Sequence, residues 1–311
     1  MESQNILSAR FLLKESWQTY KTKFAVLFGI LSAPLVVMVL SYVFSEMLPP
    51  LSFVLLILAG LLGWASQIAM IYALKTQGLG VLEAYRLGVS KLLSVLWIGI
   101  LVAGNLISAL AIPFIFGVIV LSMQQAGMFE SSKALLWTLS GIGILLAVLG
   151  VILAIYLSIL YQFGTYALII DERRGVNALS LSSMLVKGRW MTVFSKLLVV
   201  IVIFTLPVII LGLFMQNQQS LYNLVQSVVG YLIAPFIVAF MYHLFVGLKV
   251  GKDVSVDDTD QKNWIVGRSL FGFATILALL LFLIVVQKTA YFPGLKDKLE
   301  VLKVQTSSST K

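Results

Sequence analysis

The chain has no cysteine, a single histidine and little charge. Without cysteine there are no disulfides, no thiolate metal sites and no cysteine nucleophiles. His243 alone cannot make a zinc site without several other ligands, and no HExxH-type spacing surrounds it. A structural role near a membrane boundary is the expectation for it. No glycine-rich phosphate loop is present, since Gly78–Gly80 is too short to cradle a phosphate. The acidic stretch Asp253–Asp260 lacks the glycine and terminal glutamate of a calcium-binding loop, and reads as solvated. Charged residues are 11% of the chain, against roughly 25% in a soluble domain. No ionisable residue falls near the middle of an apolar run, which argues against a proton-coupled pump. Paired carboxylates, metal clusters and Ser-His constellations are also missing, so no catalytic residue and no cofactor are expected.

What remains is apolar. Hydrophobic residues make up 60% of 311 residues, and mean hydropathy is +1.01. A helix crosses a bilayer's hydrocarbon core with about 20 mostly apolar residues. Seven runs meet that need: Phe24–Phe44, Leu51–Leu74, Leu92–Met123, Leu135–Ile170, Val193–Phe214, Leu221–Leu248 and Leu270–Gln287. The fold class is therefore an all-α polytopic transmembrane helix bundle of about seven spans. The third and fourth runs exceed a bilayer's thickness, so a tilt, a kink or a projecting helix is expected there.

The apolar runs divide the chain. Residues 1–23 read as a cytoplasmic amphipathic segment and 24–250 as a six-span membrane domain. Residues 251–268 form a charged cytoplasmic loop, 269–287 the seventh span and 288–311 a polar tail. The seventh run is expected to cross, with a re-entrant or interfacial segment as the alternative. The first 22 residues hold Glu2, Arg10, Lys14, Glu15 and Lys21 rather than an early apolar stretch. An uncleaved first helix is expected, not a signal peptide.

Net charge is +9. The basic residues are spread among loops at span ends, which fits membrane topology and anionic lipid rather than nucleic acid. Arg10, Lys14, Lys21 and Lys23 precede span 1. Lys75, Arg86 and Lys91 follow span 2. Arg173, Arg174, Lys187, Arg189 and Lys196 follow span 4, and Lys249, Lys252, Lys262 and Arg268 follow span 6. These sixteen face a single Lys133 in the opposite loops. The excess expects a cytoplasmic N-terminus.

The spans come in similar pairs. Odd spans carry Pro34, Pro113 and Pro207, but span 6 adds Pro235, so the stretch before each odd span marks the pairs better than proline does. Ser16-Trp17-Gln18-Thr19-Tyr20-Lys21-Thr22-Lys23-Phe24 enters span 1, and Ser182-Ser183-Met184-Leu185-Val186-Lys187-Gly188-Arg189-Trp190 enters span 5. In both, basic residues stand five and seven places after a serine, followed by an aromatic. The expected unit is a short cytoplasmic amphipathic helix followed by two spans, used about three times in parallel. Trp17, Tyr20, Lys21, Lys23, Lys187, Arg189 and Trp190 are the lipid-interface candidates. Aromatic rings suit head-group depth, and cations suit anionic lipid.

The stretch ALIIDERRGVNALSLSSMLVKGRW from Ala167 to Trp190 carries a family resemblance. It resembles the membrane domain attached to some glycerophosphodiester phosphodiesterases, and the related YciC-like inner-membrane proteins. SWQTYKTKF and APFIVAFMYHLFVGLK resemble the beginning and end of that six-span unit. The resemblance covers about Ser8 to Lys249 and leaves out the seventh run and tail. It implies a cell (inner) membrane location. Where that domain is fused to a phosphodiesterase, catalysis belongs to a soluble barrel. No such barrel stands in this sequence, so no enzymatic role carries over.

Two further sets of residues are candidates. Gln67, Asn105 and Gln162 are polar inside spans, and fit either helix-to-helix hydrogen bonds or a polar substrate site. Gly143, Ala147, Gly150, Ala154 and Ser158 recur at helical spacing and let another helix approach closely, either within the chain or on a partner. The functional expectation is a non-enzymatic integral membrane protein contacting anionic lipid head groups, in membrane organisation or envelope upkeep. The rivals are a small permease or channel component, and an accessory subunit or homo-oligomer.

Overall fold

A computed structural model describes residues 8–45, 47–125, 132–214, 219–250 and 261–281. Among them there is no strand. The helices are α1 Ala9–Phe44, α2 Pro49–Lys75, α3 Val81–Gln125, α4 Lys133–Tyr161, α5 Gly164–Ile170, α6 Val176–Val186, α7 Trp190–Phe214 and α8 Gln219–Lys249. A further helix, α9, runs from Gln261 to Leu281. Seven segments are long and apolar enough to cross a membrane, with α4 and α5 together making one of them. The protein is an all-α polytopic membrane bundle.

Local chemistry explains the helix ends. Ser8 caps α1 by accepting from the Phe11 amide at 3.2 Å, the role for which serine is favoured at that position. Pro49 and Pro50 open α2, where a missing N–H loses nothing. Gly188 sits at φ +84° between α6 and α7, a conformation that only glycine adopts without strain.

Several boundaries differ from those read off the apolar runs. The segment before span 1 is not a separate interfacial helix. α1 is one helix of 36 residues, about 54 Å long at ~1.5 Å per residue. Likewise α3 starts at Val81, well before Leu92, and runs for 45 residues. α9 starts at Gln261 rather than Leu270, so Lys262 and Arg268 stand in a helix, not a loop. Charged residues at these entries hide the continuation when spans are read as uninterrupted apolar runs. Residues 1–7, 251–260, 282–287 and the tail 288–311 lie outside the described residues.

The fourth apolar run breaks at Gln162 and Phe163, between α4 and α5. The break strands a carbonyl and an amide in a buried setting. Ser182 of α6 satisfies both: its hydroxyl donates to the Leu160 carbonyl at 2.6 Å and accepts from the Phe163 amide at 3.1 Å. Ser182 itself is fully buried.

The chain divides into two compact units, Met1–Val102 with Tyr156–Ile265, and Ala103–Ile155 with Val266–Lys311. In the first, α1 packs on α2 and α8, α2 also packs on α5 and α8, and α6 joins α5 to α8. α7 leans on α8. Leu27, Ile30, Ile68, Ile71, Phe163, Phe240 and Phe245 are fully buried there. Close approach matters at Gly88, where a Cβ would stand 2.5 Å from the Ala65 carbonyl of α2. In the second unit, a Cβ on Gly104 would stand 2.9 Å from Ser269 of α9. α4 approaches α3 where Gly150 faces Ala109 and Pro113. Ile144, Leu145, Val148, Leu149 and Ile152 of α4 are exposed. An apolar surface of this kind belongs against lipid.

Candidate functional site

Basic side chains of the first unit close the ends of neighbouring helices. The last carbonyls of a helix have no partner within it and carry partial negative charge. Lys23 of α1 donates its ammonium to the Ala73 carbonyl at the end of α2, with the Leu74 and Thr76 carbonyls at 3.4 Å. Lys75 donates to the Ile169 carbonyl at 3.0 Å, at the end of α5. Arg189 donates to the Leu248 carbonyl at 3.3 Å, near the end of α8. Lys249 bonds to Asp171 Oδ1 just past α5. Asp171 Oδ2 is buried without a hydrogen-bond partner among the described residues.

Lys23 and Arg189 occupy matching places in the two sequence repeats. Each ties the first helix of its pair to the end of the second. Read from the sequence, both belong against lipid. In the structure both reach helix carbonyls. Their repeat-mates Ser16 and Ser182 are both fully buried, and Ser16 donates to the Leu12 carbonyl at 2.6 Å.

Of the other interface candidates, Trp17 and Lys21 are exposed. Arg10 and Lys14 are exposed as well, and the spacing of these four puts them on one face of α1. The Lys21 ammonium lies 5.2 Å from the centre of the Trp17 ring, within cation–π range. Trp17 stacks on Tyr20 at 5.5 Å, and the Tyr20 hydroxyl donates to the Leu232 carbonyl at 3.2 Å. Thr19 and His243 Nε2 are 2.9 Å apart, which gives the lone histidine a place in the α1–α8 contact. Trp190 donates its Nε1–H to the Tyr156 carbonyl at 3.3 Å and stacks on Phe194 at 5.1 Å. Lys187 is exposed at the end of α6.

Beside the α1 stripe, α1, α7 and α8 frame an open apolar cavity of about 560 Å³. Leu13, Trp17 and Tyr20 line it from α1, Phe204 from α7, and Leu232 and Phe236 from α8. Lys14 is its one charged lining residue among the described residues. Tyr20 and Phe204 each set an edge against the Phe236 ring, at 6.3 Å and 5.2 Å.

The polar residues inside the spans do not gather into a site. Gln67 and Gln162 are exposed. Asn105 is fully buried and donates to Ser269 Oγ at 2.5 Å. Ser108 donates to the Asn105 carbonyl at 2.6 Å, and Arg268 Nε approaches Ser108 Oγ at 3.4 Å. Reading Arg268 as a loop residue missed this cluster, which joins α3 to α9. Along the small-residue stripe, Gly150 is buried against α3, and Gly143 faces Phe116. Ala154 and Ser158 are half-buried and Ala147 is exposed.

No family model, curated protein or solved structure matches this chain.

Proposed function

We propose that this integral membrane protein is a non-enzymatic organiser of the cell's inner membrane, with a cytoplasmic N-terminus and a basic face held against anionic lipid. One observation carries the reading. Arg10, Lys14, Trp17 and Lys21 form an exposed face of α1, while Lys23 and Arg189 on the same side of the sequence repeat are engaged by helix ends. Each cation near an anionic surface adds about 1 kcal/mol of attraction. Membership of the YciC-like group fits this reading and is part of the proposal.

A permease is the weaker reading. Gln67 and Gln162 lie on exposed faces and Asn105 is bonded to Ser269. The three residues that would line a polar path are thus dispersed or occupied.

The test uses the full chain reconstituted in vesicles of mixed phosphatidylglycerol and phosphatidylcholine. The expected result is enrichment of phosphatidylglycerol around the protein without solute flux. Saturable flux of a solute, or equal retention of both lipids, would overturn the proposal.

A further inference from the structure

We infer that the cavity between α1, α7 and α8 is a seat for one acyl chain of an anionic phospholipid, whose head group rests on Lys14 and Lys21. The inference rests on the anionic-lipid reading and names where one such lipid is held.

The chemistry of the walls selects the occupant. At about 560 Å³ the cavity has the size of a ligand pocket. Its lining is aliphatic and aromatic save for the lysine. The Tyr20 hydroxyl is already bonded to the Leu232 carbonyl. Apart from the Trp17 indole N–H, the rest of the apolar wall is carbon, so most of a polar solute's desolvation would go uncompensated. A hydrocarbon chain needs no such compensation.

The mouth selects the head group. Lys14 lines the cavity and is exposed. Arg10 stands one turn before it, and Lys21 lies over Trp17, which is itself a wall of the cavity. A basic stripe thus runs along the edge of an apolar slot. That is the charge pattern of a lipid with an anionic head and an apolar chain. The rings of Trp17, Tyr20, Phe204 and Phe236 hold the slot's shape through their mutual contacts.

The pairing also assigns separate jobs to the cations of α1. Lys14 and Lys21 face the slot and its edge, whereas Lys23 closes α2. Loss of Lys14 should therefore change which lipid is bound. Loss of Lys23 should change stability instead.

The experiment is photolabelling of the full chain in vesicles, with phosphatidylglycerol carrying a diazirine on one acyl chain and phosphatidylcholine as the bulk lipid. Labelled peptides are mapped by mass spectrometry. The expected result is saturable labelling concentrated on the α1, α7 and α8 wall residues, displaced by unlabelled phosphatidylglycerol. Leu232→Trp and Ile203→Trp each fill the slot, and either one should lower that labelling about tenfold, equivalent to ~1.4 kcal/mol of affinity. Lys14→Gln should leave the wall labelling pattern in place and reduce the preference over a phosphatidylcholine probe about fivefold, the effect of one cation at an anionic surface. Even labelling of all exposed apolar faces, unaffected by the filling variants, would overturn the inference. So would a photoreactive residue at Phe204 that crosslinks to a segment of this chain or a second copy instead of lipid. Bulk enrichment of phosphatidylglycerol persists if only the slot is wrong. It disappears if the broader lipid reading is wrong.

Discussion

Replacing Ser182 with alanine should destabilise the fold far more than its small size suggests. The hydroxyl bridges the break between α4 and α5, bonding the Leu160 carbonyl at 2.6 Å and the Phe163 amide at 3.1 Å. An unsatisfied buried donor or acceptor costs about 1–3 kcal/mol. Two groups set a ceiling of about 6 kcal/mol on that basis. Removing the hydroxyl also removes a polar group that was itself desolvated. Side-chain hydrogen bonds inside membrane proteins average only about 0.6 kcal/mol. The expected loss therefore lies at about 1–3 kcal/mol, between these two bounds. Its midpoint shifts the folding equilibrium about 30-fold. Ser180 on the same helix is the control. It is equally buried, but among the described residues its hydroxyl meets only the Met184 sulfur at 3.9 Å. Unfolding by SDS in mixed micelles, followed by circular dichroism, gives both values. Hydrogen exchange gives the local one, and the Phe163 amide should lose protection in Ser182→Ala. A loss under ~0.5 kcal/mol, equal to that of Ser180→Ala and without faster exchange at Phe163, would refute the reasoning, because this is the scale of a surface change.

Other consequences follow from the same geometry. Lys23→Met and Arg189→Met should each lose about 1–2 kcal/mol in SDS unfolding, the range for a partly buried cation at a helix C-terminus, while Lys14→Met should lose almost nothing. A double-mutant cycle on Lys249→Met and Asp171→Asn should return a coupling of about 1 kcal/mol. The Lys249→Met single variant should be the least stable of the set, because it leaves a carboxylate whose Oδ2 is already buried without a partner among the described residues. Gly150→Leu should destabilise by about 1–3 kcal/mol through overpacking, since its Cβ alone would stand 3.0 Å from the Ala109 carbonyl. Gly117→Leu is the matched control, because no described residue lies within 4 Å of a Cβ there.

The number of long apolar helices was legible in the sequence because hydropathy is a property of composition along the chain. Their ends were harder to see. α1 and α9 carry charges in their first turns, and a run of uninterrupted apolar residues begins only after those charges. Arg268 was read as a loop residue for this reason, yet its half-buried side chain reaches Ser108 from within α9. The break at Phe163 left no proline as a marker. It depends on Ser182, nineteen residues away, which no local pattern reveals. The repeat was visible in Ser16 and Ser182, and in Lys23 and Arg189. Their work was not, because a lysine that closes a helix and a lysine left on the surface have the same spacing and the same aromatic neighbours. Only the fold tells Lys23 from Lys21. The cavity was beyond the sequence altogether, since its walls come from three helices as far apart as Leu13 and Phe236.

The most direct test of the account is the lipid retained by the full chain and by its Lys14→Gln, Lys21→Gln double variant. Both would be purified from equal mixtures of phosphatidylglycerol and phosphatidylcholine and weighed by native mass spectrometry. The account predicts preferential retention of phosphatidylglycerol by the unaltered chain, and loss of that preference in the double variant at unchanged stability. An equal ratio of the two lipids on the unaltered chain, or a preference indifferent to both lysines, would contradict it.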